Sequence, residues 1–328
     1  MKVYFDSRNP SCKTPFGAVP TGQEVTFTLA VGKDWAGNCR LCLMPAHYPA
    51  QPVTVPMELA AVDFGCNYYR CAFAGDEPQL WFYHFELVAQ SQRWTVLRDP
   101  DGQASLSGGE HWQLTVYDRN MKAPSCFGEG VMYQIFPDRF YFSGTPKENV
   151  PADRILRSDW GGLPEWRPDE KGKIRNNDYF GGDLRGIEEK LDYLESLGVT
   201  CLYLNPIFEA HSNHRYDTAD YEKIDPLLGS EEDFASLCRE AKKRGISIIL
   251  DGVFSHTGAD SRYFNREGRY GEGGAFRDTN SPYFPWYQFR RWPEDYECWW
   301  GIPTLPNVRE TEPSYLQYIT GEKGVVRK

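Results

Sequence analysis

Asp251 and His256 stand five residues apart in Asp251-Gly252-Val253-Phe254-Ser255-His256, directly after the apolar run 246–250. A short β-branched run of this kind reads as a strand. The carboxylate then marks the strand's C-terminal end, and the imidazole can turn back over the same face. Such a pair can orient a hydroxyl, move a proton or stabilise developing charge. The plainer reading makes Asp251 a turn cap and His256 a satisfied surface residue. The preceding strand weighs against that reading. Residues 200–204 are followed at the equivalent end by Asn205-Pro206-Ile207-Phe208. Then comes His211-Ser212-Asn213-His214-Arg215-Tyr216-Asp217-Thr218-Ala219-Asp220-Tyr221, which offers donors, acceptors and a stacking ring. Two successive strand ends with such loops exceed what a core requires.

The elements that must hold these residues can be traced backwards. Residues 131–136 form a short apolar strand, and residues 141–176 a polar, Pro/Gly-rich excursion. Asp183 caps a predicted helix whose Leu184, Ile187, Leu191, Leu194 and Leu197 recur at spacings of three and four, with Gly198 as its stop. Ser230-Glu231-Glu232-Asp233 resembles a capping box, ahead of an apolar stripe of Phe234, Leu237, Cys238 and Ala241 that ends at Gly245. Three strands alternating with helices imply a parallel sheet, compatible with a doubly wound sheet or a β/α barrel. No Gly-rich phosphate fingerprint follows the first strand, which weakens a nucleotide-binding reading. A second long excursion covers 252–311, and a helix begins near Glu312.

Residues 1–123 read differently. Val25, Phe27, Leu29 and Val31 alternate with Thr26, Thr28 and Ala30, the period of a half-buried strand. Further strands are predicted at 40–44, 68–73, 81–88, 93–97 and 112–117, separated by turn formers such as Asp99-Pro100-Asp101-Gly102. This spacing predicts a β-sandwich. Pro124-Ser125-Cys126-Phe127-Gly128-Glu129-Gly130 reads as a linker.

Composition sets outer bounds. A net charge of −10 argues against nucleic acid or an anionic membrane as partner. No apolar run reaches the ~20 residues of a membrane helix, and Met1-Lys2-Val3-Tyr4-Phe5-Asp6 lacks a secretory core, so the cytoplasm is expected. Nine scattered cysteines are not a disulfide framework. Cys39-Arg40-Leu41-Cys42 has C-x-x-C spacing, but on a strand the two side chains point to opposite faces, so buried free thiols are expected there rather than zinc ligands. Thirteen aromatics lie between Tyr263 and Trp300. They could line a sugar cleft or fill the core of a small domain, and core is the expectation for most.

The motifs together resemble glycoside hydrolase family 13, the α-amylase family, in its neopullulanase, cyclomaltodextrinase and maltogenic amylase group. Asp251–His256 with Thr257-Gly258 resembles the conserved region after the family's third barrel strand. Asn205-Pro206-Ile207-Phe208 through Asn213-His214-Arg215-Tyr216-Asp217 is similar to its strand-two loop. Val131-Met132-Tyr133-Gln134-Ile135-Phe136-Pro137-Asp138-Arg139-Phe140 resembles its first strand. Asn177-Asp178-Tyr179-Phe180-Gly181-Gly182-Asp183-Leu184 resembles the entry to its first helix. Trp299-Trp300-Gly301-Ile302-Pro303-Thr304-Leu305-Pro306-Asn307 resembles the end of its inserted domain. The fold class the resemblance implies is multidomain. An all-β sandwich (1–123), like carbohydrate-binding module family 34, precedes the first part of a (β/α)8 barrel (131–328), with a domain inserted at 252–311.

The activity implied is retaining hydrolysis of α-1,4-glucosidic bonds in maltodextrins, cyclodextrins or pullulan, by a carboxylate nucleophile and a carboxylic acid/base. Both fall at strand ends beyond Lys328 in the family pattern, so the chain as given is expected to be inactive. Asp251 becomes an organiser that pairs with an Arg near the nucleophile. His256 would hydrogen-bond the sugar, Tyr216 would stack beneath it, and Asn205, Trp299 and Trp300 would lie on the substrate side. Trp160 and Trp166 are weaker substrate-side candidates. No cofactor is expected. Gly181 and Asp183 remain from a calcium site known in relatives, but Phe140-Tyr141-Phe142-Ser143-Gly144 lacks the carboxylates a hard cation prefers, and Ser255 replaces the usual Asn of a second site. The partners implied are α-glucan oligosaccharides and a second copy joined through the N-terminal domain. A non-catalytic glucan-binding fragment and an inert pseudo-enzyme remain alternatives.

Overall fold

The computed structural model describes all residues except Met1, Tyr48, Glu129 and Asn149. The chain forms two compact units, residues 1–122 and 123–328.

In the first unit, Val25, Phe27, Leu29 and Val31 lie on strand Val25–Gly32 and are fully buried. The opposite face is not solvated as the alternation predicts: Thr28 and Ala30 are buried too. This strand is interior to its sheet, paired by Val3–Tyr4 and Lys13–Thr14 on one side and by Cys66–Phe73 on the other. The other expected strands occur as Asn38–Pro45, Cys66–Phe73, Gln79–Ala89, Gln92–Arg98 and Trp112–Tyr117. One long strand, Val53–Asp63, is not predicted, because Pro52 and Pro56 disguise it. Its first half pairs with Asn38–Pro45 and its second half with Cys66–Phe73, so it links two halves of a continuous eleven-stranded sheet. Phe27 and Tyr83, from different halves, meet edge-on with ring centroids 5.1 Å apart. They share one core with Leu41, Phe85, Trp112 and Val116. Cys39 packs into that core, where burial pushes its thiol up to about 12, while strand alternation puts Cys42 on the other face.

The second unit opens on a short helix, Ser125–Gly128, inside the stretch that reads as a linker; Glu129 of that stretch lies outside the described residues. Three parallel strands follow, Val131–Ile135, Val199–Leu204 and Ser247–Leu250, with Val199–Leu204 in the middle. Their register aligns Ile135 with Leu204 and Leu204 with Leu250. The leucine stripe after Asp183 makes two short helices, Leu184–Glu189 and Leu191–Ser196, broken at Lys190 (ψ 6°). Leu184, Ile187, Leu191 and Leu194 are buried against the sheet, but Leu197 is exposed at the end beside Gly198 (φ +75°). Asp183 caps the first of these helices by accepting from Gly186 N at 2.7 Å. Ser230 and Asp233 form the expected capping box of helix Glu231–Lys243. Beyond strand three, Tyr263, Phe264, Trp286, Tyr287 and Tyr296 form a separate aromatic core, joined by Tyr315 and Ile319 of helix Pro313–Thr320. Most of the thirteen aromatics are therefore core. Among the described residues no helix is long and apolar enough to cross a membrane.

Candidate active site

The strand register explains why the site residues meet. With Ile135, Leu204 and Leu250 level, the next residues on the second and third strands are Asn205 and Asp251. Asn205 N donates to Ile135 O at 2.9 Å and Asp251 N to Leu204 O at 3.1 Å, so each begins its loop still tied to the sheet. Both side chains therefore emerge from the C-terminal end of the parallel sheet, where β/α folds carry their chemistry.

A directed chain of donors joins the three strands. Gln134 Nε2 donates to Asn205 Oδ1 at 2.8 Å, and Asn205 Nδ2 to the Tyr216 hydroxyl at 3.3 Å. Tyr216 Oη donates to Asp251 Oδ2 at 2.9 Å. Burial, with the hydrogen bond to Asp251 second, pushes the Tyr216 phenol up to about 12, so it is a donor at neutral pH. Tyr216 is thus the side chain that bonds Asp251 within residues 1–328, and the Arg expected to pair with Asp251 belongs, in the family pattern, beside the nucleophile outside that range.

His256 is 5% exposed rather than on the surface. One ring nitrogen, Nε2, lies 3.2 Å from Tyr216 O, and Nδ1 lies 3.0 Å from Ser255 Oγ. Burial holds its imidazole below the usual histidine range, with the Tyr216 carbonyl opposing. Its ring packs 5.2 Å from Trp299, and Trp299 stacks on Trp300 at 4.6 Å with planes 4° apart. Trp300 is 85% exposed, and its backbone is left-handed (φ +49°). The structure thus gathers Asn205, Tyr216, Asp251, His256, Trp299 and Trp300. Trp160 instead packs edge-on against Phe180, and Trp166 is exposed.

Gly181 and Asp183 stand apart from this network, at the N-terminus of the helix after the first excursion. Asp183 Oδ1 caps its helix, and Oδ2 accepts from Ser143 Oγ at 2.8 Å and from Lys147 Nζ at 2.5 Å. Both members of the ion pair are nearly buried. An ammonium thus sits on the carboxylate a cation would use.

The supports of the site are residues to which the sequence lends no obvious role. Loop 211–217 closes the hairpin Phe208–Ala210 / Thr218–Ile224. Arg215, left-handed at φ +61° and fully buried, anchors it. Its Nη2 reaches Asp225 Oδ1 at 3.3 Å, and Arg154 Nη1 bonds both Asp225 oxygens at 3.0 Å. The two guanidinium carbons lie 5.4 Å from the centre of the Tyr179 ring. The following loop is held from beneath. The single Tyr221 hydroxyl proton is shared between Val253 O and His256 O, and Tyr315 Oη donates to Phe254 O at 2.8 Å. The only sequence signal for Tyr221 is its place in the aromatic strand-two loop.

The fold and site define a β/α protein with a polar, aromatic-edged site on the C-terminal ends of its parallel strands. Residues 134–323 match the alpha amylase catalytic domain, and the chain belongs to that glycoside hydrolase family. It is 36% identical over 98% of its length to an amylopullulanase of Thermoanaerobacterium saccharolyticum, of which it spans 28%. It is 37% identical over 60% of its length to neopullulanase 2 of Thermoactinomyces vulgaris, of which it spans 31%. Among solved structures, the type III pullulan hydrolase from Thermococcus kodakarensis is 26% identical with a TM-score of 0.50, covering 97% of this chain and 52% of that one. The chain thus spans less than a third of either curated relative.

Proposed function

We propose that this chain provides the sugar-binding and organising part of an α-glucan hydrolase acting on α-1,4 bonds in maltodextrins, cyclodextrins or pullulan. The observation that carries the reading is the donor chain Gln134–Asn205–Tyr216–Asp251, which runs across the C-terminal ends of three parallel strands beside His256 and Trp299. In this reading Asp251 orients the neighbouring groups and is not the nucleophile. His256, neutral and held by Ser255 and the Tyr216 carbonyl, turns toward a sugar hydroxyl when substrate arrives. The exposed face of Trp300 offers an apolar platform for a glucose ring.

The architecture proposed is a β-sandwich at 1–123 and the first three strands of a β/α barrel at 131–328, with an inserted domain at 252–311. Three features support it. Phe27 and Tyr83 meet across the first core. Residues beyond strand three have an aromatic core of their own. Val131–Ile135, an outer strand of the parallel sheet, pairs with Val199–Leu204 alone among the described strands, as expected of an edge that a further barrel strand would join. The retaining reaction needs two carboxylates that we do not assign within residues 1–328, so this chain alone is proposed to bind glucan without cleaving it.

A cytoplasmic location is in keeping with a relative named intracellular maltogenic amylase. A homodimer through the first unit is supported by the exposed Leu59, Val62 and Phe64 on strand Val53–Asp63 and the turn after it; sedimentation of Phe64→Ser against the parent tests it.

The experiment is affinity electrophoresis of the chain in gels containing amylopectin or pullulan, run beside a reducing-sugar assay. Retardation that Trp300→Ala weakens, without sugar release, is the expected result. Sugar release above a vector control refutes the division of labour, and absence of any retardation refutes glucan binding. In a full-length enzyme carrying this chain, His256→Ala is expected to lower turnover by about 10²–10³.

A further inference from the structure

The outer face of the first unit's sheet carries a cluster that the glucan reading does not use. Alternation along Gln79–Ala89 sends Tyr83, Phe85 and Leu87 into the core and His84 and Glu86 to the opposite face. Cys42 lies directly across from His84 on the neighbouring strand, and Thr54 directly across from Cys42 on the next. A thiol, an imidazole and a carboxylate are thereby placed side by side, each with a ligand atom within 4.8 Å of the others. The site is sheltered although it faces away from the core. Cys42 is 9% exposed, and the His84 and Glu86 side chains are 13% and 12% exposed.

The bonding within the cluster is incomplete. His84 Nε2 faces the carboxylate from 4.0 Å, too far for a hydrogen bond, and Nδ1 is buried without a partner. Cys42 Sγ receives a long contact from Thr54 Oγ1, at 4.0 Å, and its thiol also faces the Glu86 carboxylate. Glu86 accepts from Arg93 Nη1 through Oε1 alone among the described side-chain hydrogen bonds. A buried imidazole nitrogen with nothing to bind costs free energy that a ligand would recover. Sulfur, nitrogen and oxygen donors together suit a borderline cation, and zinc takes such sets in tetrahedral geometry. Ligands about 2.0–2.3 Å from zinc sit roughly 3.3–3.8 Å apart, so rotation of side chains already grouped is enough to close the site. The ring of His111 lies 5.2 Å from that of His84.

We propose that Cys42, His84 and Glu86 form a zinc site that staples adjacent strands of the first unit, with His111 or a water in the fourth position. Loading replaces the Cys42 S–H proton with the metal, and that proton passes to solvent. Cys39, three residues away, takes no part because it points into the core.

The test uses the full 328-residue chain freed of metal, titrated with zinc by calorimetry and with cobalt(II) by absorption. One site is expected, with a thiolate-to-cobalt charge-transfer band and a rise in the unfolding midpoint on zinc addition. Cys42→Ser should abolish the band, and His84→Gln and Glu86→Gln should each weaken binding at least tenfold. Cys238→Ser, on a helix of the other unit, should leave the band intact. Circular dichroism verifies that each variant is folded, and the three ligand variants give independent readings if one is not. A folded parent without the band, or a band that survives Cys42→Ser, overturns the proposal.

Discussion

Asp225→Asn is expected to destabilise the second unit by about 3–5 kcal/mol, the range for breaking a buried ion pair from one side. Asp225 is completely buried. Its two oxygens accept from Arg154 Nη1, Arg215 Nη2, Leu227 N at 3.0 Å and Ala210 N at 3.4 Å. The side chains of Arg154 and Arg215 are 2% and 1% exposed, so neither guanidinium can turn to water. The amide keeps the shape of the carboxylate but removes its charge and points an N–H₂ group at donors. Two buried cations then lose the carboxylate they bond, and Asp138 is the charge that still faces Arg215.

The same chemical change on the surface is the control. Glu232 and Arg239 pair at 3.0 Å but are 80% and 58% exposed, so Glu232→Gln should cost less than about 1 kcal/mol. Urea unfolding followed by tryptophan fluorescence reads both variants. Hydrogen exchange across 206–217 reads the consequence for the site, because Arg215 carries the loop that presents Tyr216. Rapid exchange there in Asp225→Asn, with the first unit unchanged, is the expected pattern. A loss below about 1 kcal/mol for Asp225→Asn, or equal losses for the two variants, refutes the argument that burial sets the scale.

Tyr221→Phe should cost about 1–3 kcal/mol in the same unfolding assay, since it strips the Val253 and His256 carbonyls of a buried donor. Lys147→Ala should create a calcium response that the parent lacks, because it frees the buried Asp183 carboxylate; added calcium should then raise the unfolding midpoint of the variant alone. Burial lowers the His256 pKa, so the unfolded chain takes up its proton first as pH falls. Its contribution to stability is complete above the unfolded value of about 6.5 and is lost as pH drops below it. His256→Gln should therefore flatten the fall of the unfolding midpoint between about pH 7 and 5, and an unchanged slope would count against this assignment.

The parts of the fold that depend on short-range pattern were readable. Leucines three and four apart and the capping residues Asp183 and Ser230 marked helices, and β-branched runs marked the three parallel strands. Strand ends are local features as well, so Asn205 and Asp251 could be placed before any tertiary contact was known. What the sequence hid depends on closure of long loops. Asp225 and Arg154 are 71 positions apart, and Tyr216 and Asp251 are 35 apart. The left-handed turn at Arg215 has no glycine to announce it. The break at Lys190 has no proline or glycine at the position itself. Val53–Asp63 is hidden for the opposite reason: Pro56 argues locally against a strand whose existence follows from its neighbours on both sides.

The polarity of the site follows from one asymmetry. A carboxylate only accepts hydrogen bonds, so the Tyr216 hydroxyl must spend its single proton on Asp251. That leaves the phenol oxygen as an acceptor, which turns the Asn205 amide nitrogen toward it and the Asn205 oxygen toward Gln134. Every donor in the row therefore points toward Asp251, and none can reverse while that group is ionised. The phenol's proton is not available elsewhere, and Tyr216 can donate to another group only by giving up Asp251. His256 is less committed. Its two ring nitrogens hold a serine hydroxyl and a backbone carbonyl, neutral partners that a bound hydroxyl can replace at smaller cost. The contrast between the two groups is thus set by charge: the anion at the end of strand three bonds Tyr216 directly, whereas the His256 ring nitrogens meet neutral groups and Asp217 acts on the imidazole through space.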